Sequence, residues 1–366
     1  MPNSCTMTHE QRVLARKPVL KRALTVLGPV PADQLGVVLP HEHILADFRS
    51  EHDPFYPDLS ETKVELSMLG RLRRHPNTCL DNLILDDAGL ALAELSRFAR
   101  AASLSPGSGQ GHGTVVELSG MARLQPEALP KLAQSTGLNI VAGTGWPLGW
   151  QHCEDIAAGG IDPLTELLVR DILEGMPGTG YRAGIIGLSV IAEPRNQWDL
   201  LLRACARAAR KTGAPLVLSC PPCQLVPTAE LILQEEQLAP GQVWVAGMDS
   251  FDVSRDERCH LAEQGYWLLF DGFGKEWYWR GWQSRTPRDF ERLIWMRELI
   301  DAGYIGRLLM SQGLDRKNLL TRYGGWGYAH ILESVVPMME RERRFAPKEI
   351  TTLTRHNPAR ALAFAP

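Results

Sequence analysis

Eight short apolar runs recur along the chain, and each is followed by a segment with the spacing of an amphipathic helix. The apolar runs occupy residues 37–44, 114–119, 139–143, 183–188, 214–219, 243–247, 266–270 and 307–311. The clearest helical segments are 86–102, 126–135, 163–173, 197–212, 229–237, 260–264 and 287–302. In the first of these, Leu95 and Phe98 lie on the apolar face.

Apolar strands that alternate with helices predict a parallel sheet covered on both faces, with right-handed crossovers. Eight such units without a break in composition predict one closed (β/α)8 TIM barrel. A doubly wound open sheet is the alternative, but no G-x-G-x-x-G phosphate loop follows the first strand. In a barrel, functional groups lie at the carboxyl ends of the strands.

The first apolar run ends in the motif His41-Glu42-His43. Side chains alternate along a strand, so both histidines point to one face and Glu42 points to the other. Residues two apart on a strand are separated by about 7 Å, and two imidazoles at this spacing can share a metal ion. Two histidines with ordinary hydrogen bonds are the alternative, because three-residue motifs recur by chance.

The composition is that of a globular protein with a large core: 366 residues, 44% hydrophobic and 22% charged. A net charge of −3 argues against nucleic acid or an anionic membrane as the main partner. No apolar run approaches the roughly 18 residues of a membrane-spanning helix. Seven cysteines, an odd number in a long chain, favour a reducing compartment, and the expected location is the cytoplasm.

Residues 1–24 are predicted to form a basic N-terminal tail, and residues 25–366 a single domain. The charged residues of the tail are Arg12, Arg16, Lys17, Lys21 and Arg22, against the acid Glu10. A frayed tail and a weak organelle-targeting peptide both fit this composition.

Several blocks of sequence carry a family resemblance. They are residues 25–30, 35–43, 138–145, 181–187, 322–332 and 356–360. These blocks, in this order, resemble the phosphotriesterase family within the amidohydrolase superfamily, and in particular its branch of phosphotriesterase-related proteins, which are similar to amide hydrolases. The resemblance implies a (β/α)8 barrel of the metal-dependent hydrolase type, with two divalent metal ions at the strand ends.

The resemblance also implies six metal ligands, of which His41 and His43 are present. The family has a lysine or glutamate after the fourth strand, histidines after the fifth and sixth, and an aspartate after the eighth. The matching residues here are Leu188, Ser219, Gly247 and Gly313, with Gln312 as the alternative to Gly313.

Two neutral imidazoles do not compensate a divalent ion for its lost hydration, and four lost ligands should lower metal affinity severely. Without the metal and the aspartate, water has neither an activating ion nor a base. We therefore expect no bound cofactor, or zinc with reduced affinity.

A C-x-x-C motif, Cys220-Pro221-Pro222-Cys223, follows the fifth strand. Cys220 and Cys223 could complete a tetrahedral zinc site with His41 and His43, since thiolates are anionic ligands. A redox dithiol and two ordinary loop thiols are the other interpretations, because a single C-x-x-C is a weak signal.

Aromatic residues are frequent in the predicted loops at the carboxyl ends of the strands. They are Trp146, Trp150, Trp277, Tyr278, Trp279, Trp282 and Trp326. They could line an apolar pocket, form a protein-binding surface, or pack within the loops. Among nearby polar residues, Asp249 is expected to bond to rim backbone, Glu117 to be paired, and His330 to be structural.

Two functional hypotheses follow. The first is a non-catalytic or strongly impaired relative that binds a small molecule or a partner protein at the carboxyl-end rim of the barrel. The second is a zinc-dependent hydrolase of an ester or amide bond that uses His41, His43 and atypical ligands such as Cys220. The sequence leaves the substrate and the oligomeric state open, a homodimer included.

Overall fold

The computed structural model describes residues 21–105, 113–146, 159–189, 195–219, 222–250, 252–279, 284–341 and 345–365. Eight parallel strands form one sheet in the order of the chain. They are β1 (Val38–Glu42), β2 (Thr114–Glu117), β3 (Asn139–Trp146), β4 (Ile185–Ser189), β5 (Leu216–Ser219), β6 (Val243–Ala246), β7 (Trp267–Phe270) and β8 (Leu308–Met310). Each lies within or beside one of the predicted apolar runs, and the predicted (β/α)8 barrel is confirmed.

The barrel closes where β8 meets β1. The His41 backbone N–H donates to Ser311 Oγ at 3.0 Å, and the Gly313 N–H donates to the His41 carbonyl at 2.9 Å. The buried Glu42 carboxylate accepts the Leu314 N–H at 2.8 Å and lies 2.7 Å from Ser311 Oγ. Glu42 therefore points away from the two histidines, as strand alternation predicts, and joins the first strand to the last.

Seven helices of nine residues or more connect the strands within the described ranges. They are α1 (Ala88–Leu104), α2 (Ala128–Thr136), α3 (Ile161–Leu173), α4 (Arg195–Thr212), α5 (Pro222–Glu235), α6 (Arg255–Gln264) and α7 (Asp289–Asp301). Ser254 and Glu257 form a capping box at the start of α6, and Gly265 ends it in the left-handed conformation. The start predicted for α5, residue 229, is wrong, because Pro222 is accepted in the first helical turn, where its missing N–H costs nothing.

Strand alternation divides the core into two layers. Side chains inside the barrel include Val38, Val116, Val141, Ile185, Val217, Trp244, Leu269 and Leu309. Side chains between the barrel and the helices include Leu39, Val115, Ile140, Ile186, Leu188, Leu218, Val245 and Met310. Adjacent residues of one strand thus belong to different layers, which decides which residues can face the mouth of the barrel.

An antiparallel hairpin of Arg22–Thr25 and Gly28–Pro31 precedes the barrel. Ala23 and Leu24 are buried, and the Arg22 N–H donates to the Phe364 carbonyl at 2.9 Å. The hairpin therefore begins inside the segment 1–24 that the sequence predicts as a tail, and residues 1–20 lie outside the described ranges. In the described part of the chain, every helix is too short or too polar to cross a bilayer.

Candidate functional site

The two histidines of the first strand lie together at the carboxyl end of the barrel. Their ring centroids are 5.2 Å apart with an interplanar angle of 71°. His41 Nδ1 lies 2.6 Å from Asp271 Oδ2, and His43 Nδ1 lies 3.1 Å from Ser119 Oγ. Each imidazole thus has a polar partner from another strand end, β7 for His41 and β2 for His43.

Asp271 is the first residue after β7, and the sequence analysis does not single it out. Its second carboxylate oxygen accepts the Gly247 N–H at 2.9 Å. Burial raises the pKa of Asp271, but the hydrogen bond and charge of His41, with the charge of Lys275, outweigh it and leave the pKa below its ordinary value. Its place at a strand end is the signal that could have identified it.

His43 is the more deeply buried of the two histidines. Burial, together with the charge of His41, lowers the pKa of His43 well below its ordinary value. The imidazole is therefore neutral at physiological pH and can accept a hydrogen bond through one ring nitrogen.

An ion pair lies beside the histidines, and the sequence analysis identifies neither of its members. Lys275 Nζ donates to Asp315 Oδ2 at 3.0 Å and lies 5.3 Å from the centroid of the Trp277 ring. Burial raises the pKa of Asp315, but the charges of Arg316, Lys275 and His43 outweigh it, so the pKa is lowered. The other oxygen, Asp315 Oδ1, is buried and has no hydrogen-bond partner among the described residues.

A second charged network runs from the mouth toward the surface. The buried Arg292 donates through Nε to Asp249 at 2.7 Å and through Nη1 to Asp289 at 3.0 Å. Asp289 in turn lies 2.6 Å from His330 Nε2, and the His330 ring stacks on Trp326. The Gly272 N–H donates to Asp249 at 2.7 Å, which confirms the predicted bond to rim backbone.

Asp289 gives a pH-dependent prediction. Burial raises the pKa of Asp289, but the hydrogen bond and charge of His330 and the charge of Arg292 outweigh it and lower the pKa. A lowered folded-state pKa stabilises the fold above the unfolded-state pKa, and this stability is lost as the pH falls through the folded-state value. We expect Asp289→Asn to lose about 1.5–3 kcal/mol of stability near pH 7.

The difference in unfolding free energy between wild type and Asp289→Asn should become smaller below about pH 4, where the carboxyl of the unfolded chain is protonated. Urea unfolding midpoints measured between pH 7 and pH 3 test this. Asp301→Asn is the control, since the Asp301 side chain is 68% exposed. A difference that stays constant across the range would contradict the prediction.

Other candidates from the sequence have ordinary roles where the structure describes them. The buried Glu117 pairs with Arg123 at 2.5 Å, as expected. Trp146 and Trp277 are buried, and Trp326 is half exposed. Trp150 and Trp282, and the side chains of Tyr278 and Trp279, lie outside the described set.

The family model for the phosphotriesterase family matches residues 21–362. The chain belongs to the phosphotriesterase family. The match covers nearly the whole chain, and the resemblance found in the sequence blocks is confirmed.

Relatives in the phosphotriesterase family span the same length. An N-acetyltaurine hydrolase from Danio rerio is 31% identical over 93% of this chain and 97% of its own length. A phosphotriesterase-related protein from Nematostella vectensis is 30% identical over 93% of this chain and 98% of its own. Among solved structures, a resiniferatoxin-binding protein from Rhodobacter sphaeroides matches with a TM-score of 0.86 and 30% identity, covering 93% of this chain and 95% of that one.

Leu188, the residue that the resemblance matches to the fourth-strand ligand, packs in the outer layer between barrel and helices, because it lies two residues beyond the outward-facing Ile186 on β4. Gly187 and Ser189 alternate with it and face inward. A Cβ built on Gly187 would lie 3.5 Å from Leu118, a residue of the inner layer. Neither residue is the lysine or glutamate that the family resemblance implies for this strand.

The other positions that the resemblance matches to metal ligands lie at or just after strand ends. Ser219 ends β5. Gly247 follows β6, and a Cβ there would meet no described atom within 4 Å. Gln312 points out of the mouth, since its Nε2 lies 3.5 Å from Glu42 and its Oε1 accepts the Ile331 N–H at 3.3 Å. Gly313 is therefore the mouth-facing residue after β8, and a Cβ on it would lie 3.2 Å from Lys275 Nζ.

The cysteine hypothesis is untested. Cys220 lies outside the described residues, and the side chain of Cys223, in α5, is not described either. In the ranges that the structure describes, no three His, Cys, Asp or Glu side chains are grouped as metal ligands.

Proposed function

We propose that this member of the phosphotriesterase family binds a small, uncharged molecule at the carboxyl end of its barrel and has lost metal-dependent hydrolysis. The observation that carries the proposal is the lysine beside Gly313. Where the family resemblance implies an aspartate that binds metal, this chain has no side chain, and the Lys275 ammonium lies 3.2 Å from the place of its Cβ.

The donor set supports the proposal on electrostatic grounds. A divalent ion needs anionic ligands or several good donors, and an imidazole is an uncharged ligand. The Lys275 ammonium lies close to the same space and repels a divalent cation, which weakens metal binding further. The residues present therefore do not fit two divalent ions.

The charges of the mouth favour an uncharged ligand. Each described carboxylate there already has a basic partner: Asp271 has His41, Asp315 has Lys275, and Asp249 and Asp289 share Arg292. A charged ligand would have to break one of these pairs. The Lys275 ammonium has three N–H donors and the structure assigns one of them to Asp315, so a carbonyl oxygen could accept another.

We expect purified protein to contain substoichiometric zinc, because two imidazoles hold a divalent ion weakly. Elemental analysis of wild type and of the His41→Ala, His43→Ala double variant tests this, with equal metal content expected. Thermal shift with resiniferatoxin, chosen because a 30% identical neighbour is described as binding it, tests for a ligand. Near-stoichiometric zinc that disappears in the double variant would contradict the proposal.

Hydrolysis of an N-acyl amide is the second candidate, because relatives with 31% identity over 93% of this chain are N-acetyltaurine hydrolases. The imidazole of His41, oriented by Asp271, is the group that could act as a base. Incubation of the protein with N-acetyltaurine, with and without zinc, separates the two candidates. Zinc-dependent release of acetate that a chelator abolishes would favour hydrolysis.

A cytoplasmic location and a homodimer stay predictions, as does a protein partner at the rim. Cell fractionation, light scattering after size-exclusion chromatography, and affinity purification with a Trp326→Ala control would test them.

A further inference from the structure

The backbone of Lys275 is held in place by three hydrogen bonds. Its N–H donates to the Gly272 carbonyl at 2.9 Å. Its carbonyl accepts Arg292 Nη2 at 3.0 Å and Thr286 Oγ1 at 2.8 Å. The side chain therefore leaves from a fixed point, five residues beyond the end of β7, and its direction is set before any ligand binds.

The ammonium group lies 3.0 Å from Asp315 Oδ2 and 5.3 Å from the centroid of the buried Trp277 ring. The absence of a side chain at Gly313 leaves the space for it, since a Cβ there would lie 3.2 Å from Nζ and 3.8 Å from Cε. Gly313 also has φ +54, a conformation that favours glycine.

The neighbouring cations are shared with other carboxylates. Arg292 is shared by Asp249 and Asp289. Arg316 pairs with Glu51 at 2.6 Å and is farther from Asp315, at 3.4 Å. Without Lys275, Asp315 would share one guanidinium with Glu51, and its buried Oδ1 would still have no described donor. The carboxylates at the mouth of the barrel would then lack one compensating positive charge.

We propose that Lys275 is the resident cation of the barrel mouth, and that its ammonium neutralises the strand-end carboxylates in the place of divalent metal ions. The inference rests on the proposed function and deepens it, because the Lys275 ammonium makes a metal ion unnecessary and also excludes one.

Removal of the ammonium should make the mouth more attractive to a divalent cation. Asp315, Asp271 and the two histidines would remain, with an uncompensated negative charge. Changes to groups around a metal site typically alter metal affinity by roughly 10 to 100-fold. We therefore expect Lys275→Met to bind zinc at least about tenfold more tightly than wild type.

Zinc titration calorimetry and thermal melts with and without zinc test the inference on the full chain. Lys275→Met should melt lower than wild type without zinc and should recover with it. Lys275→Arg keeps the charge and should resemble wild type. Lys63→Met is the matched control, because Lys63 also pairs with an aspartate, Asp81 at 2.7 Å, but has an 85% exposed side chain.

A folded Lys275→Met that binds zinc no better than wild type would overturn the inference while leaving the proposed function intact. Tight zinc binding with hydrolysis by the wild type would instead overturn the proposed function. If Lys275→Met does not fold, Lys275→Gln is measured in its place. Refolding of either variant only with zinc supports the inference, and failure to refold in both conditions counts against it.

Discussion

Replacement of Arg292 by methionine is expected to destabilise the fold by about 3–5 kcal/mol. The Arg292 side chain is 2% exposed and lies between Asp249 and Asp289, at 2.7 and 3.0 Å. Methionine fills a similar volume but leaves both carboxylates buried without their shared cation. Burial and the charge of Asp271 already raise the pKa of Asp249, although Arg292 lowers it, so the loss of Arg292 would favour protonation of Asp249.

Urea unfolding at pH 7, followed by tryptophan fluorescence, measures the effect of Arg292→Met. Arg71→Met is a suitable control, because Arg71 also forms two short hydrogen bonds to a carboxylate, Asp58, but both side chains are exposed. Exposed ion pairs are screened by water, so Arg71→Met should unfold at the same urea concentration as wild type. Equal midpoints for Arg292→Met and wild type would show that the buried network does not support the fold.

Gly325→Ala should destabilise the protein by about 3 kcal/mol or more. The added Cβ would overlap the backbone of Leu319, including its carbonyl carbon and oxygen. Backbone atoms cannot move aside as a flexible side chain can, and this turn is fixed by the Gly325 N–H to Leu320 carbonyl bond at 3.0 Å and the Gly327 N–H to Leu319 carbonyl bond at 2.8 Å.

The soluble yield and the unfolding midpoint of Gly325→Ala test this prediction. Gly241→Ala makes the same chemical change at a place where the new Cβ meets nothing within 4 Å and φ is not positive. The unfolding midpoint of Gly241→Ala should equal or slightly exceed that of wild type, because alanine restricts the conformations of the unfolded chain. If both variants behave alike, the close approach of Gly325 to Leu319 is not a constraint on the fold.

The fold was predictable because its signal is spread over the whole chain. Eight apolar runs alternate with amphipathic segments, and burial of both sheet faces explains that pattern. The start of α5 and the strand at Arg22 were missed for local reasons. In a sequence, a proline is usually taken to end a helix, although Pro222 lies in the first turn of α5. The strand at Arg22 is short and pairs with Gly28–Pro31, and so short a hairpin shows little alternation of apolar and polar positions.

The candidate site was only half predictable. His41 and His43 are two residues apart on one strand, so their proximity follows from alternation. Asp271, Lys275 and Asp315 meet them from two other strand ends, and nothing local in the sequence marks a lysine that lies five residues past a strand. The sequence blocks match Leu188 to the fourth-strand ligand but do not show that it packs in the outer layer, because a shift of one residue on a strand exchanges the inner and outer layers.

Glu42, the middle residue of the histidine motif, lies where the first and last strands of the barrel meet. Its bonds to Ser311 and Leu314 join these two strands, and they require no metal. The presence of Glu42 between the two histidines can therefore be explained by barrel closure, whether or not the histidines bind a metal.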